Sequence, residues 1–224
     1  MIKVVIPASG IGSRFGADIP KQFIELEGEH VLKRTISIFE QIDEIDEIAV
    51  AVPEGYKWVV EHYGFAKVRY IVEGGKDRAS SVYSALKALP GDTSIVLIHD
   101  GVRPFITTQL VYDVVASVKT HQAAVACTPV TDTIKKAASS GAITETLDRS
   151  QLWHAQTPQG FTYTLILAAY QSAEESGVLQ YATDDSALVE RLGYPVQIVP
   201  SNLKNIKITT AEDLAIGRIF LCEK

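Results

Sequence analysis

Lys3-Val4-Val5-Ile6-Pro7-Ala8-Ser9-Gly10-Ile11-Gly12-Ser13-Arg14-Phe15-Gly16, followed by Pro20-Lys21-Gln22-Phe23, stands at the start of the chain. Val4-Val5-Ile6 is short, apolar and β-branched, which predicts a buried strand. It empties into a loop of small residues whose glycines at 10, 12 and 16 frame Arg14. Glycine lets backbone N–H groups approach a ligand closely, and successive N–H groups make an anion-binding nest. Arg14 and Lys21 add two cations beside that nest. The stretch therefore reads as a polyphosphate cradle; the plainer alternative is a Gly-rich strand-to-helix turn with two solvated cations.

Neither common phosphate loop matches. Gly10 and Gly12 fit the dinucleotide fingerprint, but Phe15 holds the position of its third glycine. The Gly-Lys-Ser/Thr ending of the Walker loop is absent, and so is the Gly-x-Ser-x-Gly elbow that would make Ser9 a hydrolase nucleophile.

Outward from this stretch, strand-like runs alternate with helical patterns. Helical spacing covers 31–39, and 48–52 is a second buried strand stopped by Pro53. A third strand at 68–72 leads into Glu73-Gly74-Gly75-Lys76-Asp77-Arg78 and a helix through Leu89. The fourth, 95–98, ends in His99-Asp100-Gly101-Val102-Arg103-Pro104. A helix at 108–120, a strand at 123–127, helices near 163–176 and 184–192, a strand at 196–199 and a last helix complete the series. Thr210-Ala211-Glu212-Asp213 opens that last helix like a capping box. Continuous apolar strands separated by helices predict a three-layer α/β domain with a mostly parallel sheet. Between Val130 and Trp153 the pattern turns polar. Alternating residues flank Ala137-Ala138-Ser139-Ser140-Gly141-Ala142, so about 131–152 reads as a β-hairpin arm, either an exposed edge or an arm packed on a second subunit.

Composition narrows the function classes. The 224 residues suit a single domain (1–224), and 46% hydrophobic residues supply a core. A net charge of −6 argues against a nucleic-acid-binding surface. Two cysteines, Cys127 in an apolar strand and Cys222 near the end, make no disulfide framework and fit a reducing, cytoplasmic compartment. Met1-Ile2-Lys3 leads straight into the first strand, so no signal peptide is expected, and no apolar run reaches the roughly 18 residues of a membrane span. No second catalytic domain is expected after the last helix.

Ligands of open parallel α/β sheets bind beyond the carboxyl ends of the strands. Four stretches fall there: the opening loop, 74–78, 99–104 and the 129–133 turn. Their cations, gathered at one rim, would form a phosphate site. Asp100 after its buried strand could hold Mg²⁺ or orient a hydroxyl. His99 and Cys127 read as structural, and Asp184-Asp185 as a helix N-terminus.

These residues carry a resemblance. Pro7-Ala8-Ser9-Gly10-x-Gly12-x-Arg14 with Pro20-Lys21-Gln22-Phe23 resembles the 2-C-methyl-D-erythritol 4-phosphate cytidylyltransferase family. So do Gly74-Gly75-x-x-Arg78-x-x-Ser81-Val82, His99-Asp100-x-x-Arg103-Pro104, Asp132-Thr133-Ile134-Lys135, Asp148-Arg149, Gln156-Thr157-Pro158-Gln159 and Asn205-Ile206-Lys207-Ile208-Thr209. The resemblance implies a Rossmann-like nucleotidyltransferase fold that transfers CMP from CTP to a sugar-alcohol phosphate in isoprenoid precursor synthesis, with Mg²⁺ or another divalent cation held mainly through phosphates. It implies Arg14 and Lys21 as catalytic residues. Pro7, Ala8, Ser9, Gly10 and Gly12 would bind the nucleotide around its phosphates, and Gly75, Arg78 and Ser81 would recognise cytosine and ribose. Asp100, Arg103, Thr157 and Lys207 would surround the sugar phosphate and the metal. Thr133 and Arg149 would reach the neighbouring subunit's substrate, making a homodimer. Three positions depart from the family's usual sequence: Ser9, Gly101 and Val102 stand where alanines are common. Alternatives from the same residues are a ribitol 5-phosphate cytidylyltransferase, a nucleotide-binding module without catalysis, and a nicotinamide dehydrogenase.

Overall fold

The computed structural model describes residues 1–10 and 19–222. The strands are β1 (Ile2–Pro7), β2 (Glu25–Leu26), β3 (Glu29–His30), β4 (Glu47–Val52), β5 (Val68–Glu73), β6 (Ile95–Ile98), β7 (Ala123–Pro129), β8 (Lys135–Ala137), β9 (Ile143–Thr146), β10 (Trp153–Thr162) and β11 (Gln197–Pro200). The helices are α1 (Val31–Glu40), α2 (Lys57–Glu61), α3 (Arg78–Ala88), α4 (Thr108–His121), α5 (Tyr163–Glu175), α6 (Asp185–Arg191) and α7 (Ala211–Cys222).

A seven-stranded sheet with order β11-β7-β10-β6-β1-β4-β5 forms the middle layer. Alternation along β1 sets the layers on either side. Val4 and Ile6 point into a core with α1 and α4, whereas Val5 points into a second core with α3, α5 and α6. A small third cluster, Leu26, Val31, Val102 and Ile208, packs beneath α7. The reciprocal cap expected at the last helix is present: Asp213 accepts from the Thr209 and Thr210 N–H groups, and Asp213 N–H donates to Thr210 Oγ1.

The sheet is mostly parallel, as its apolar runs require, but β10 runs antiparallel between β6 and β7. The sequence pattern predicts no strand there. Trp153-His154-Ala155-Gln156-Thr157-Pro158-Gln159-Gly160 shows neither an apolar run nor clean alternation, and proline argues against a central strand. The ladder accommodates Pro158 by a register shift between Ala155 and Gln159. Gly160 is required by closeness: a Cβ there would lie 2.7 Å from Val118 Cγ2.

β8 and β9 pair antiparallel as a separate two-stranded unit, every residue of which is exposed. The chain moves outward from β1 through β4 to β5, then returns to β6 on the other side of β1. The crevice between β1 and β6 is thus the topological switch point, where such sheets bind ligands.

Candidate active site

A cleft of about 310 Å³ opens at the carboxyl ends of β6, β1, β4 and β5. Its walls are Pro7–Gly10 after β1, Pro53-Glu54 after β4, Gly74–Arg78 after β5, Asp100 and Val102 after β6, together with Lys21, Gln22 and Lys207. Three of the four expected stretches therefore meet there. The fourth, the turn at 129–133, does not line the cleft, and neither do Thr133 and Arg149. Arg149 donates instead to the Thr131 carbonyl beside the hairpin. Gly12 and Arg14 lie outside the described residues.

Backbone chemistry builds the β4–β5 side of the cleft. Gly74 N–H donates to Val52 O, extending the β4–β5 pairing into the loop. A Cβ at Gly74 would lie 2.3 Å from both Ser9 Cβ and Ser9 Oγ, so only glycine lets the two loops touch. Asp77 and Ser80 cap α3 reciprocally, each accepting the other's backbone N–H. Ser81 is fully buried behind this wall. Its Oγ accepts Gly75 N–H at 3.0 Å and donates to Asp77 O at 2.6 Å. With that single proton committed, the 2.5 Å contact between Ser9 Oγ and Ser81 Oγ has Ser9 as donor. Ser81 thus holds Gly75 and Ser9 in place from behind, and Ser9 Oγ offers a ligand only lone pairs.

Lys21 stands on a 3₁₀ turn, Lys21–Phe23, that is fixed on two sides. The Gln22 side chain donates to the Ala8 carbonyl, and Phe23 stacks on Tyr56 with ring centroids 4.9 Å apart. Nothing in the sequence pattern marks Gln22 for a role. Its burial inside a polar Pro-Lys-Gln-Phe turn becomes visible only once the turn docks on β1.

Asp100 is the centre of the other half. Arg78 Nε donates to its Oδ1 at 2.8 Å, and Lys207 Nζ lies 2.8 Å from Oδ2, with Arg103 Nε 3.6 Å away. Burial would raise the Asp100 carboxyl, but the Arg78, Lys207 and Arg103 cations hold it well below the usual carboxylate range. Lys207 arrives from the far end of the chain because Ile208 N–H donates to Val102 O, and because Arg103 Nη1 donates to Asn205 O.

Thr157 lies behind this centre. It is buried, its Oγ1 accepts Asp100 N–H at 3.1 Å, and it contacts His99 Nδ1 at 3.1 Å. Its hydroxyl therefore orients Asp100 and does not face the cleft, a correction to the place the resemblance gave it. His99 is structural, as expected. Its Nε2 bonds the Arg103 carbonyl, which assigns the proton to that nitrogen, and burial pushes its pKa down to about 4. Cys127 is likewise inert, its thiol pushed up to about 11 by burial.

The Asp184-Asp185 pair divides its labour. Asp184 caps α6 by accepting Ala187 N–H, as the sequence predicts. Asp185 is fully buried and pairs with Arg78, which the helix-start reading missed. Arg78 is thereby committed to two carboxylates. They outweigh the cost of its burial and raise its pKa.

Asp100 is a poor metal ligand in this setting, since both its oxygens already face cations. Among the described residues no group of three or more His, Cys, Asp or Glu is arranged to hold an ion. The departure at Gly101-Val102 has a steric basis. A Cβ at Gly101 would lie 2.9 Å from Leu32 Cδ1 and 3.1 Å from Ala8 Cβ, while Val102 fills the cleft floor.

Comparison with known proteins agrees over the whole length. The family model described as IspD, 2-C-methyl-D-erythritol 4-phosphate cytidylyltransferase, matches residues 2–223. A protein of that name from Alkaliphilus oremlandii is 44% identical over 97% of this chain and 94% of its own length. Its counterpart in Desulforamulus reducens is 42% identical over 98% and 95%. Among solved structures, 4-diphosphocytidyl-2C-methyl-D-erythritol synthase from Anaerococcus prevotii superposes with a TM-score of 0.89 at 31% identity, covering 99% of this chain and 96% of that one. The 2-C-methyl-D-erythritol 4-phosphate cytidylyltransferase of Thermus thermophilus superposes at 0.81 with 33% identity, covering 98% of each chain.

Proposed function

The chain belongs to the 2-C-methyl-D-erythritol 4-phosphate cytidylyltransferase family, and from that premise we propose the parts its residues play in the reaction. The protein is an enzyme that transfers CMP from CTP to 2-C-methyl-D-erythritol 4-phosphate, releasing pyrophosphate and forming 4-diphosphocytidyl-2-C-methyl-D-erythritol in isoprenoid biosynthesis. Ribitol 5-phosphate as acceptor and a non-catalytic binding module are not favoured by any of these relatives.

The observation that carries the residue roles is one cleft with Lys21 on its β1 side and the Asp100–Lys207 pair on its β6 side. A phosphate oxygen of the acceptor attacks the α-phosphorus of CTP, a P–O bond forms, and the bond to the pyrophosphate leaving group breaks. The attacking phosphate is already ionised near neutrality, so no general base is needed. Both reactants are anions, and the work of the site is to align them and neutralise charge. We assign Lys21, with Arg14, to the charge developing around the α-phosphate. Lys207 and Arg103 take the acceptor's phosphate, and Asp100 orients its hydroxyl groups. Arg103, with its Nε 3.6 Å from Asp100 Oδ2 and its Nη1 donating to Asn205 O, adds its charge from behind Asp100 and Lys207. Gly75 and Ser9 face the nucleoside, where a lone-pair-only Ser9 Oγ suits an N–H or O–H better than a phosphate oxygen.

The divalent cation enters, in this reading, as part of the Mg·CTP substrate and is carried by the phosphates. Asp100, with each oxygen already facing a cation, does not fit a resident metal site, although its remaining lone pairs can still accept from hydroxyl groups.

Homodimerisation through the hairpin is also proposed. It is supported by a β8–β9 arm without a buried residue, since a lone two-stranded hairpin is marginal in water. It is supported too by Thr133 and Arg149 lying away from their own cleft. A cytoplasmic location is proposed from two free cysteines. No helix among the described residues is long and apolar enough to cross a membrane.

Pyrophosphate release from CTP, assayed with 2-C-methyl-D-erythritol 4-phosphate and with ribitol 5-phosphate in parallel, tests the reading. Turnover is expected with the first and at most traces with the second; preference for ribitol 5-phosphate would overturn the acceptor assignment.

A further inference from the structure

Asp185 is fully buried and does not line the cleft, yet both of its carboxylate oxygens are aimed at the residue that holds Asp100. Arg78 Nη1 donates to Asp185 Oδ1 at 3.0 Å and Nη2 donates to Oδ2 at 2.8 Å. The same guanidinium donates through Nε to Asp100 Oδ1 at 2.8 Å. Behind Asp185, Tyr170 Oη donates to Oδ1 at 2.5 Å, and Tyr170 is itself buried and stacked on Tyr83. Gln159 Oε1 accepts the backbone N–H groups of Asp185 and Ser186, fixing where α6 begins.

A bidentate fork fixes a guanidinium in plane as well as in place. The Nε–H lies in that plane, so its direction is set once Asp185 holds the other two nitrogens. Asp100 Oδ1 is then pinned, and Oδ2 is left to face Lys207 and the cleft. As a stabilising device the arrangement is a poor choice, because desolvating a buried ion pair cancels most of its Coulombic gain. Its distinctive product is orientation.

We infer that Asp185 is a positioning residue for cytidylyl transfer. It acts through Arg78 to set the orientation of the Asp100 carboxylate, and Tyr170 clamps it from α5. Arg78 is by this account a crosslink between α3, α6 and the end of β6, and not a reader of the nucleotide base. The inference rests on the acceptor-side role proposed for Asp100.

Steady-state kinetics of Asp185→Asn, Tyr170→Phe and Asp100→Asn, with each substrate varied in turn, test it. Displacing Asp100 by a fraction of an ångström is expected to raise the KM for the sugar-alcohol phosphate and lower kcat, each by about tenfold in Asp185→Asn. The KM for CTP should stay within about twofold, because Asp185 acts through Arg78 on Asp100, while the Ser9–Gly75 wall is held by Ser81. Tyr170→Phe removes one hydroxyl and leaves the fork intact, so it should show the same split at a few-fold amplitude while folding normally. It carries the test if Asp185→Asn does not fold.

An equal rise in both KM values, or a lowered melting temperature with unchanged acceptor kinetics, would make Asp185 merely structural and overturn the inference. Asp100→Asn separates the two levels. If it leaves the acceptor KM unchanged, the role proposed for Asp100 fails. If it raises that KM while Tyr170→Phe and Asp185→Asn do not, the positioning role alone fails.

Discussion

Lys207 Nζ lies 2.8 Å from Asp100 Oδ2, so a loop near the end of the chain closes one side of a cleft built by its first half. Asp100 receives Arg78 and Arg103 as well, and this gathering of cations is what a net-acidic protein needs to hold two anionic substrates.

Replacing Lys207 by Ala should lower kcat/KM for the sugar-alcohol phosphate on the order of 10²-fold. Its side chain is 34% exposed and buried Asp100 keeps Arg78 and Arg103, so its loss should lower folding stability by no more than about 2 kcal/mol. Kinetics paired with urea denaturation check both halves of this statement.

Lys21→Ala should cost on the order of 10²–10³ in kcat, because a preorganised charge at the α-phosphate is lost. The turn that carries it keeps the Gln22–Ala8 hydrogen bond and the Phe23–Tyr56 stack, so the melting temperature should hold. An active Lys21→Ala enzyme would remove this residue from the mechanism.

Gly74→Ala places a methyl group 2.3 Å from Ser9 Cβ, where no flexible side-chain end can yield. Overpacking of this kind costs roughly 1–3 kcal/mol. The adjustment must displace the Ser9 loop, so calorimetric CTP affinity should fall alongside stability. Unchanged CTP binding would mean that the contact between the two loops does not shape the nucleotide site.

Acidification should expose His99. Its pKa is about 4 in the folded protein against an ordinary value near 6.5, so the unfolded chain binds the extra proton first. Stability is fully present above about pH 6.5 and is lost as pH falls towards about 4, by roughly 3 kcal/mol. The Asp100 carboxylate, also depressed, loses its contribution only below the ordinary carboxylate range, outside this window. Denaturation midpoints of the wild type and His99→Gln between pH 4 and 7 should converge as pH falls, since the variant lacks this slope.

Much of the site was legible because its parts are local. Gly74–Arg78 and His99–Arg103 each follow an apolar run directly, and a loop at a strand's carboxyl end is where a parallel sheet presents ligand groups. Side-chain direction was not legible. Ser81 and Thr157 belong to the same motifs as Gly75 and Gln156, yet both turn inward to hold the wall from behind, where the Gly75 and Asp100 N–H groups need acceptors. Asp185 was hidden by its neighbour, since a capping aspartate at the start of a helix accounts for the Asp-Asp pair until Arg78 is brought to the second carboxylate.

From the order of residues alone came the alternating strands and helices, the parallel character of the sheet, the polar hairpin and the glycine-cation loop Ser9–Lys21. All of these are written in periodicity and in composition over a few residues. Only the tertiary structure decided that Trp153–Thr162 enters the sheet antiparallel between β6 and β7, that Lys207 meets Asp100, and that Asp185 holds Arg78. The physical reason is the same in each case. These are pairings between residues far apart in the chain, whose partners are chosen by closure of the whole sheet and not by any pattern within the segments themselves.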